Sequence, residues 1–210
     1  MIQSMAGKVK TGGTMRQRLE RSEFVIEFLR EVTPAHDPLA RTKIIRMNQD
    51  LSAILAEESI ETIELLGEKY GINPAYLASA ALIISNLNPF NMWFDYEMLE
   101  SMIPTLMKRK LPIDYWFWCA CRLGLFSVLG LDCIEMGYDK NPIMLLIERS
   151  KCTEFGVQRI KPYFDSLEPG KAIVQYCIDN TKYRFKPDEM RRRAEEYIEI
   201  YERLKREIGL

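Results

Sequence analysis

The stretch DYWFWCACRLGLFSVLGL, Asp114 to Leu131, decides how the rest of the chain is read. After its aspartate it runs for 17 residues with a single charge, Arg122. A membrane span needs about 20 apolar residues, and an arginine at the centre of one costs about 2.5–3.5 kcal/mol on insertion scales. The segment is too short and too polar for that, so no membrane partner is expected. A helix that is apolar all round is otherwise one enclosed by other helices. The pattern therefore predicts a central core helix from Tyr115 to Met136, with Trp116, Phe117, Trp118 and Phe126 as packing residues. A buried indole N–H needs an acceptor, and Arg122 inside a core needs a carboxylate.

Enough amphipathic segments flank this stretch to enclose it. Four Asx-Pro pairs, Asp37-Pro38, Asn73-Pro74, Asn88-Pro89 and Asn141-Pro142, are candidate helix starts. The Asx oxygen accepts an orphan amide, and proline fits the first helical position. From Pro38 the stripe Ile44, Met47, Leu51, Leu55, Leu66 and Tyr70 predicts one long helix ending at Gly71. Glu57, Glu61, Glu64 and Glu68 form its expected solvent ridge. A short helix to about Leu87, an aromatic loop over Asn86 to Phe94, and a helix from Asp95 to Lys110 bent at Pro104 follow. Further helices are expected at Pro142 to Ser150, Glu154 to Leu167 and Lys171 to Asn180. After Pro187, the residues Met190, Ala194, Tyr197, Tyr201, Leu204 and Ile208 alternate at spacings of four and three, the seam of a helix packed lengthwise on another. No segment shows sustained strand alternation. The expected fold is all-α: an orthogonal or irregular bundle of about eight helices in one domain, residues 16–210, behind a flexible basic arm, residues 1–15.

Composition limits the function. The chain has 210 residues, 47% hydrophobic, with 29 basic against 30 acidic side chains, the balance of an ordinary globular protein. A net charge of −1 gives no global attraction to nucleic acid or anionic lipid. Local asymmetry exists at the N-terminus, where Lys8, Lys10, Arg16, Arg18 and Arg21 face only Glu20. Five cysteines, an odd number in mostly apolar surroundings, read as free thiols of a reducing compartment, so a cytoplasmic location is expected.

The inventory of reactive groups is poor. His36 is the single histidine, so a carboxylate-bridged metal pair built on two Glu-x-x-His units is not available. No Cys-x-x-Cys pair suggests zinc. The segment Ser166 to Val174 ends like a phosphate loop, but Asp165 replaces its first glycine and Ala172 its magnesium-binding hydroxyl. No catalytic residue, metal or cofactor is assigned. A helical interaction or assembly subunit, partnering another protein or further copies of itself, is the favoured reading. Its candidate contact residues are the loop aromatics Phe90, Met92, Trp93 and Phe94, with Tyr197 and Tyr201. The alternative is nucleic-acid binding through Lys8, Lys10, Arg16, Arg18, Arg21, Lys108, Arg109 and Lys110, aided by a helix-turn-helix-like corner over residues 64–82. Asn73, Ala75, Ala78, Ser79 and Leu82 are weak base readers for such a corner.

Overall fold

The computed structural model describes residues 23, 24, 27, 28, 31, 49–180 and 186–208. The basic arm, Arg16, Arg18, Arg21, His36 and the helix start at Asp37-Pro38 lie outside the described residues. Among the residues described from Gln49 onward, eight helices and a three-stranded sheet make up an all-α multi-helix bundle. In chain order these are α1 (Gln49–Tyr70), α2 (Pro74–Ser85), β1 (Met92–Phe94), α3 (Tyr96–Lys108) and α4 (Ile113–Cys119). β2 (Cys121–Leu123), β3 (Val128–Leu129), α5 (Gly130–Glu135), a 3-10 turn (Pro142–Leu146), α6 (Arg149–Ser166), α7 (Pro169–Asn180) and α8 (Pro187–Ile208) complete the order. Phe24 and Phe28 sit on helical backbone ahead of them.

The expected central helix from Tyr115 to Met136 does not exist. Helix α4 stops at Cys119, the chain reverses through the antiparallel pair β2 and β3, and α5 starts only at Gly130. The physical reason is that residues 119–131 are buried throughout. Strands covered on both faces show an unbroken apolar run with no alternation, the same signal as an enclosed helix. Gly124, at φ +71°, turns the chain where a helix would have continued. The expectation of no strands fails at β2 and β3 for the same reason, and at β1 because three residues are too few to show alternation.

The enclosed helix is α2 instead. Ala75, Leu77, Ala78, Ser79, Ala80, Ala81, Leu82 and Ile84 are all buried, because α2 packs on α1, α7 and α8. Its alanines allow those neighbours to come close. Asn73 caps it, accepting the Ala75 amide at 2.9 Å. Asn141 likewise caps the 3-10 turn, whereas the Asn88 side chain accepts the Phe90 amide within a turn that no helix follows. The seam of α8 forms as expected: Met190, Ala194, Tyr201 and Leu204 are buried, with Tyr197 and Ile208 packed at its edge. The glutamate ridge of α1 is not uniform. Glu64 turns toward α8, taking hydrogen bonds from the Tyr201 hydroxyl at 3.1 Å and Lys205 at 2.8 Å.

The β2–β3 turn plugs the bundle. Leu125, Phe126 and Ser127 are at most 1% exposed, and Phe126 lies on α6 at Gly156. A Cβ at Gly156 would sit 2.6 Å from the Phe126 ring. Phe126→Ala is expected to destabilise by about 3–5 kcal/mol, as for other buried aromatics. Gly156→Ala is expected to destabilise by about 1–3 kcal/mol through overpacking. In a Phe126→Ala background the Gly156→Ala penalty should shrink, because the Cγ and Cδ2 atoms that crowd the new methyl are gone and only the Phe126 Cβ contact remains. Urea unfolding of the four proteins tests this, and strict additivity would mean that the two positions do not touch.

Candidate functional site

The aromatic segment singled out in the sequence is an edge strand. In the order β1-β2-β3, β1 is outermost, with Met92 opposite Leu123, Trp93 opposite Arg122 and Phe94 opposite Cys121. The Gly124 amide donates to the Asn91 carbonyl at 2.8 Å, and the Asp95 amide donates to Ala120 at 3.3 Å. Antiparallel ladders alternate bonded and unbonded pairs, so Asn91, Trp93 and Asp95 bond toward β2. The main-chain groups of Met92 and Phe94 therefore point to the open side of the sheet. Among the described residues, no backbone hydrogen bond from outside the sheet reaches them.

The side chains divide into anchors and exposed groups. Phe94 stacks on Phe117 with centroids 4.5 Å apart, and Trp93 lies half-buried over the Arg122 guanidinium at 5.9 Å. Phe90 and Met92 are each 45% exposed. Arg149 covers one face of Phe90 at 5.1 Å while pairing with Glu58 at 2.8 Å. Beyond Arg149 opens a groove of about 590 Å³ between α1 and α6, with exposed Leu65 on its wall and Leu125 and Pro89 also lining it.

Behind the strand lies a charge that the sequence predicted and a partner that it did not. Arg122 is 6% exposed, and its Nε makes no hydrogen bond among the described residues. The expected carboxylate ion pair is absent there. Asp132, the candidate nearby, binds Arg159 at 3.0 Å instead. Burial holds the Arg122 pKa below its ordinary value, while Tyr176, Asp132 and Asp95 pull the other way. Burial also raises the Asp132 carboxyl, against the attraction of Arg159. A guanidinium can rest on an aromatic face where no carboxylate is in reach, and Trp93 supplies that face.

The remaining sequence candidates are dispersed. Tyr201 is 1% exposed, enclosed edge-on by Phe24 at 4.9 Å and Phe28 at 5.4 Å, so it is a core residue and offers no contact surface. Tyr197 is half-buried on the same seam. Arg109 is tied to Glu135 at 2.7 Å, while Lys108 and Lys110 project freely among the described residues. The corner at Gly71 does form, with φ +67° there. Its second helix is α2, however, whose Ala75, Ala78, Ser79 and Leu82 are buried. That helix has no face to lay in a DNA groove.

Reactive groups outside this strand are suppressed rather than activated. All five cysteines are buried and none forms a disulfide. Burial pushes Cys119 and Cys121 up to about 11, Cys152 and Cys177 up to about 12, and Cys133 further still. Among the described residues no group of three or more His, Cys, Asp or Glu side chains is placed to hold a metal, and no helix is long and apolar enough to cross a membrane. Comparison with protein-family models, curated proteins and solved structures found no match for the chain.

Two outcomes follow from these environments. At pH 8 a thiol of pKa about 11 is ionised roughly one part in a thousand, so a maleimide should label none of the cysteines in the folded protein within minutes. All five should react in urea, and rapid labelling of the native protein would contradict the burial. For the strand, a cycle of Trp93→Ala and Arg122→Met should give a coupling of about 0.5–2 kcal/mol in chemical denaturation. Coupling near zero would mean that the ring does not hold the guanidinium.

Proposed function

We propose that this chain is a non-enzymatic interaction or assembly subunit that takes an extended segment of a partner protein along the open edge of β1. The observation that carries the reading is the pair of outward-facing residues Met92 and Phe94, whose main-chain groups lie unbridged beside the exposed Phe90 and Met92 side chains. An added strand binds through its main chain and gains specificity from pockets for alternate side chains. The groove beyond Arg149 supports the reading by offering such a pocket, lined by Leu65 and Leu125. Exposed edges are normally blunted by charge or proline, and β1 carries neither. A cytoplasmic setting is supported by five cysteines that form no disulfide.

Among the sequence candidates, Phe90 and Met92 carry the contact, while Trp93 and Phe94 hold the strand in place. The test follows from that division. Met92→Pro removes an amide directed away from β2, which an edge strand tolerates. Phe90→Ala removes an exposed ring. Both variants should keep their melting temperatures within a few degrees and lose at least about tenfold in affinity for a protein that wild type retains after nuclease treatment. Retention that vanishes with nuclease would favour the nucleic-acid reading through Lys8, Lys10, Arg16, Arg18 and Arg21. Undiminished capture by Met92→Pro would exclude the strand edge.

A further inference from the structure

We propose that the exposed flank of α3 is a self-association surface, on which two copies of the chain pair their α3 helices antiparallel about a two-fold axis near Ile103. Helix α3 already uses one face within its own chain. Met102 and Leu106 are buried in a small second core with Met98 and Leu99 packed beside them. On the adjoining flank Tyr96 is 63% exposed, Ile103 36% and Met107 63%. With Glu100 between them and Lys110 just beyond the helix end, these residues recur at spacings of four, three, four and three. That is the spacing of a helix-packing seam. The chain uses the same spacing in α8, where Met190, Ala194, Tyr201 and Leu204 are covered by neighbouring elements. On α3 the apolar members of the seam are left in solvent.

Charge selects both the occupant and its direction. The first half of α3 carries Glu97 and Glu100, while Lys108 at its end and Lys110 just beyond it make no ion pair among the described residues. Lys110 is placed by a left-handed turn at φ +54°, with the Leu111 amide donating back to Leu106 at 3.2 Å. A parallel copy would set like charges level with one another. An antiparallel copy sets the acidic half of each helix level with the basic end of the other, twice, as a two-fold interface requires. Tyr96, hydrogen-bonded to Glu100, then meets the end of the seam that carries Lys110 on the other copy. A helix of 13 residues spans only about 20 Å. Even with Ile113, 78% exposed at the start of α4, the surface falls short of the roughly 800 Å² per partner of a standard interface, so the dimer is a weak one.

The seam uses no residue of β1, so this inference and the proposed partner site are tested by different variants. Met92→Pro should self-associate as wild type does. Sedimentation equilibrium over roughly 1–100 µM, the range in which a small interface associates, reads the proposal directly. Wild type should pass from monomer to dimer across that range. Glu97→Lys with Glu100→Lys makes the seam basic throughout, and Lys108→Glu with Lys110→Glu leaves Arg109, already paired with Glu135, as its one remaining cation. Each variant alone should associate at least about tenfold more weakly, while an equimolar mixture should form a one-to-one heterodimer at least as tight as wild type. Ile103→Glu should leave the melting temperature unchanged and abolish association. A wild type that stays monomeric at the highest concentration, charge variants that dimerise as well as wild type, or a mixture that fails to pair would each overturn the proposal. The first of these would leave the seam to a different macromolecule.

Discussion

The structure depends on a hydrogen bond between a core tyrosine and a piece of backbone that would otherwise be stranded. The Tyr176 hydroxyl donates to the Phe126 carbonyl at 2.7 Å, at the tip of the β2–β3 turn. A turn inside a helical core carries amides and carbonyls that no helix satisfies, and each orphan costs about 1–3 kcal/mol. Here Tyr176 takes one, the Asn91 carbonyl takes the Gly124 amide, and Gly124 itself accepts the Ser127 amide at 3.3 Å. The turn can then present Leu125 and Phe126 to α6 as apolar fillers. The close approach at Gly156, and through it the packing of α6 on α7, is built around that plug.

The same arrangement accounts for the exposed strand. Since β2 and β3 are fixed inside, β1 is what remains on the outer side of the sheet, attached through one ladder and through the anchors Trp93 and Phe94. Rigidity and exposure thus occur in one short segment. A binding group gains from being held before its partner arrives, because less freedom is lost on association. Arg122 fits this picture as a support for Trp93. Its burial is tolerated by an aromatic face and by carboxylates at longer range, without a direct ion pair among the described residues.

Two seams of equal spacing have different fates. The seam of α8 includes Tyr201, whose ring is surrounded by Phe24 and Phe28 and whose hydroxyl reaches Glu64, so every part of it is satisfied within the chain. The seam of α3 lies beside its buried face rather than on it, and the small second core needs only Met102 and Leu106 from that helix. The surplus apolar surface of α3 is an outcome of where α4 and the sheet sit, and helix spacing taken alone does not distinguish the two cases.

Local chemistry in the sequence determined the helix starts at Asn73 and Asn141, the stop at Gly71, the extent of α3 and α8, and the helical class of the fold. Each depends on groups within four residues of one another, such as a cap, a proline or a seam repeat. The residues Phe90, Met92, Trp93 and Phe94 were legible as a special segment from their composition, but their sorting into exposed contacts and anchors was not. Tertiary structure decided that Cys121 to Leu129 is a hairpin, because an apolar run buried on both faces fits a strand and a helix equally well. It also decided that α2 is the enclosed helix. Alanine and serine carry little hydrophobic signal, and their burial arises from three neighbours that converge only after the chain has folded. The surroundings of Arg122 were decided in the same way: its ring partner lies 29 residues away in sequence, and only strand pairing brings Trp93 opposite it.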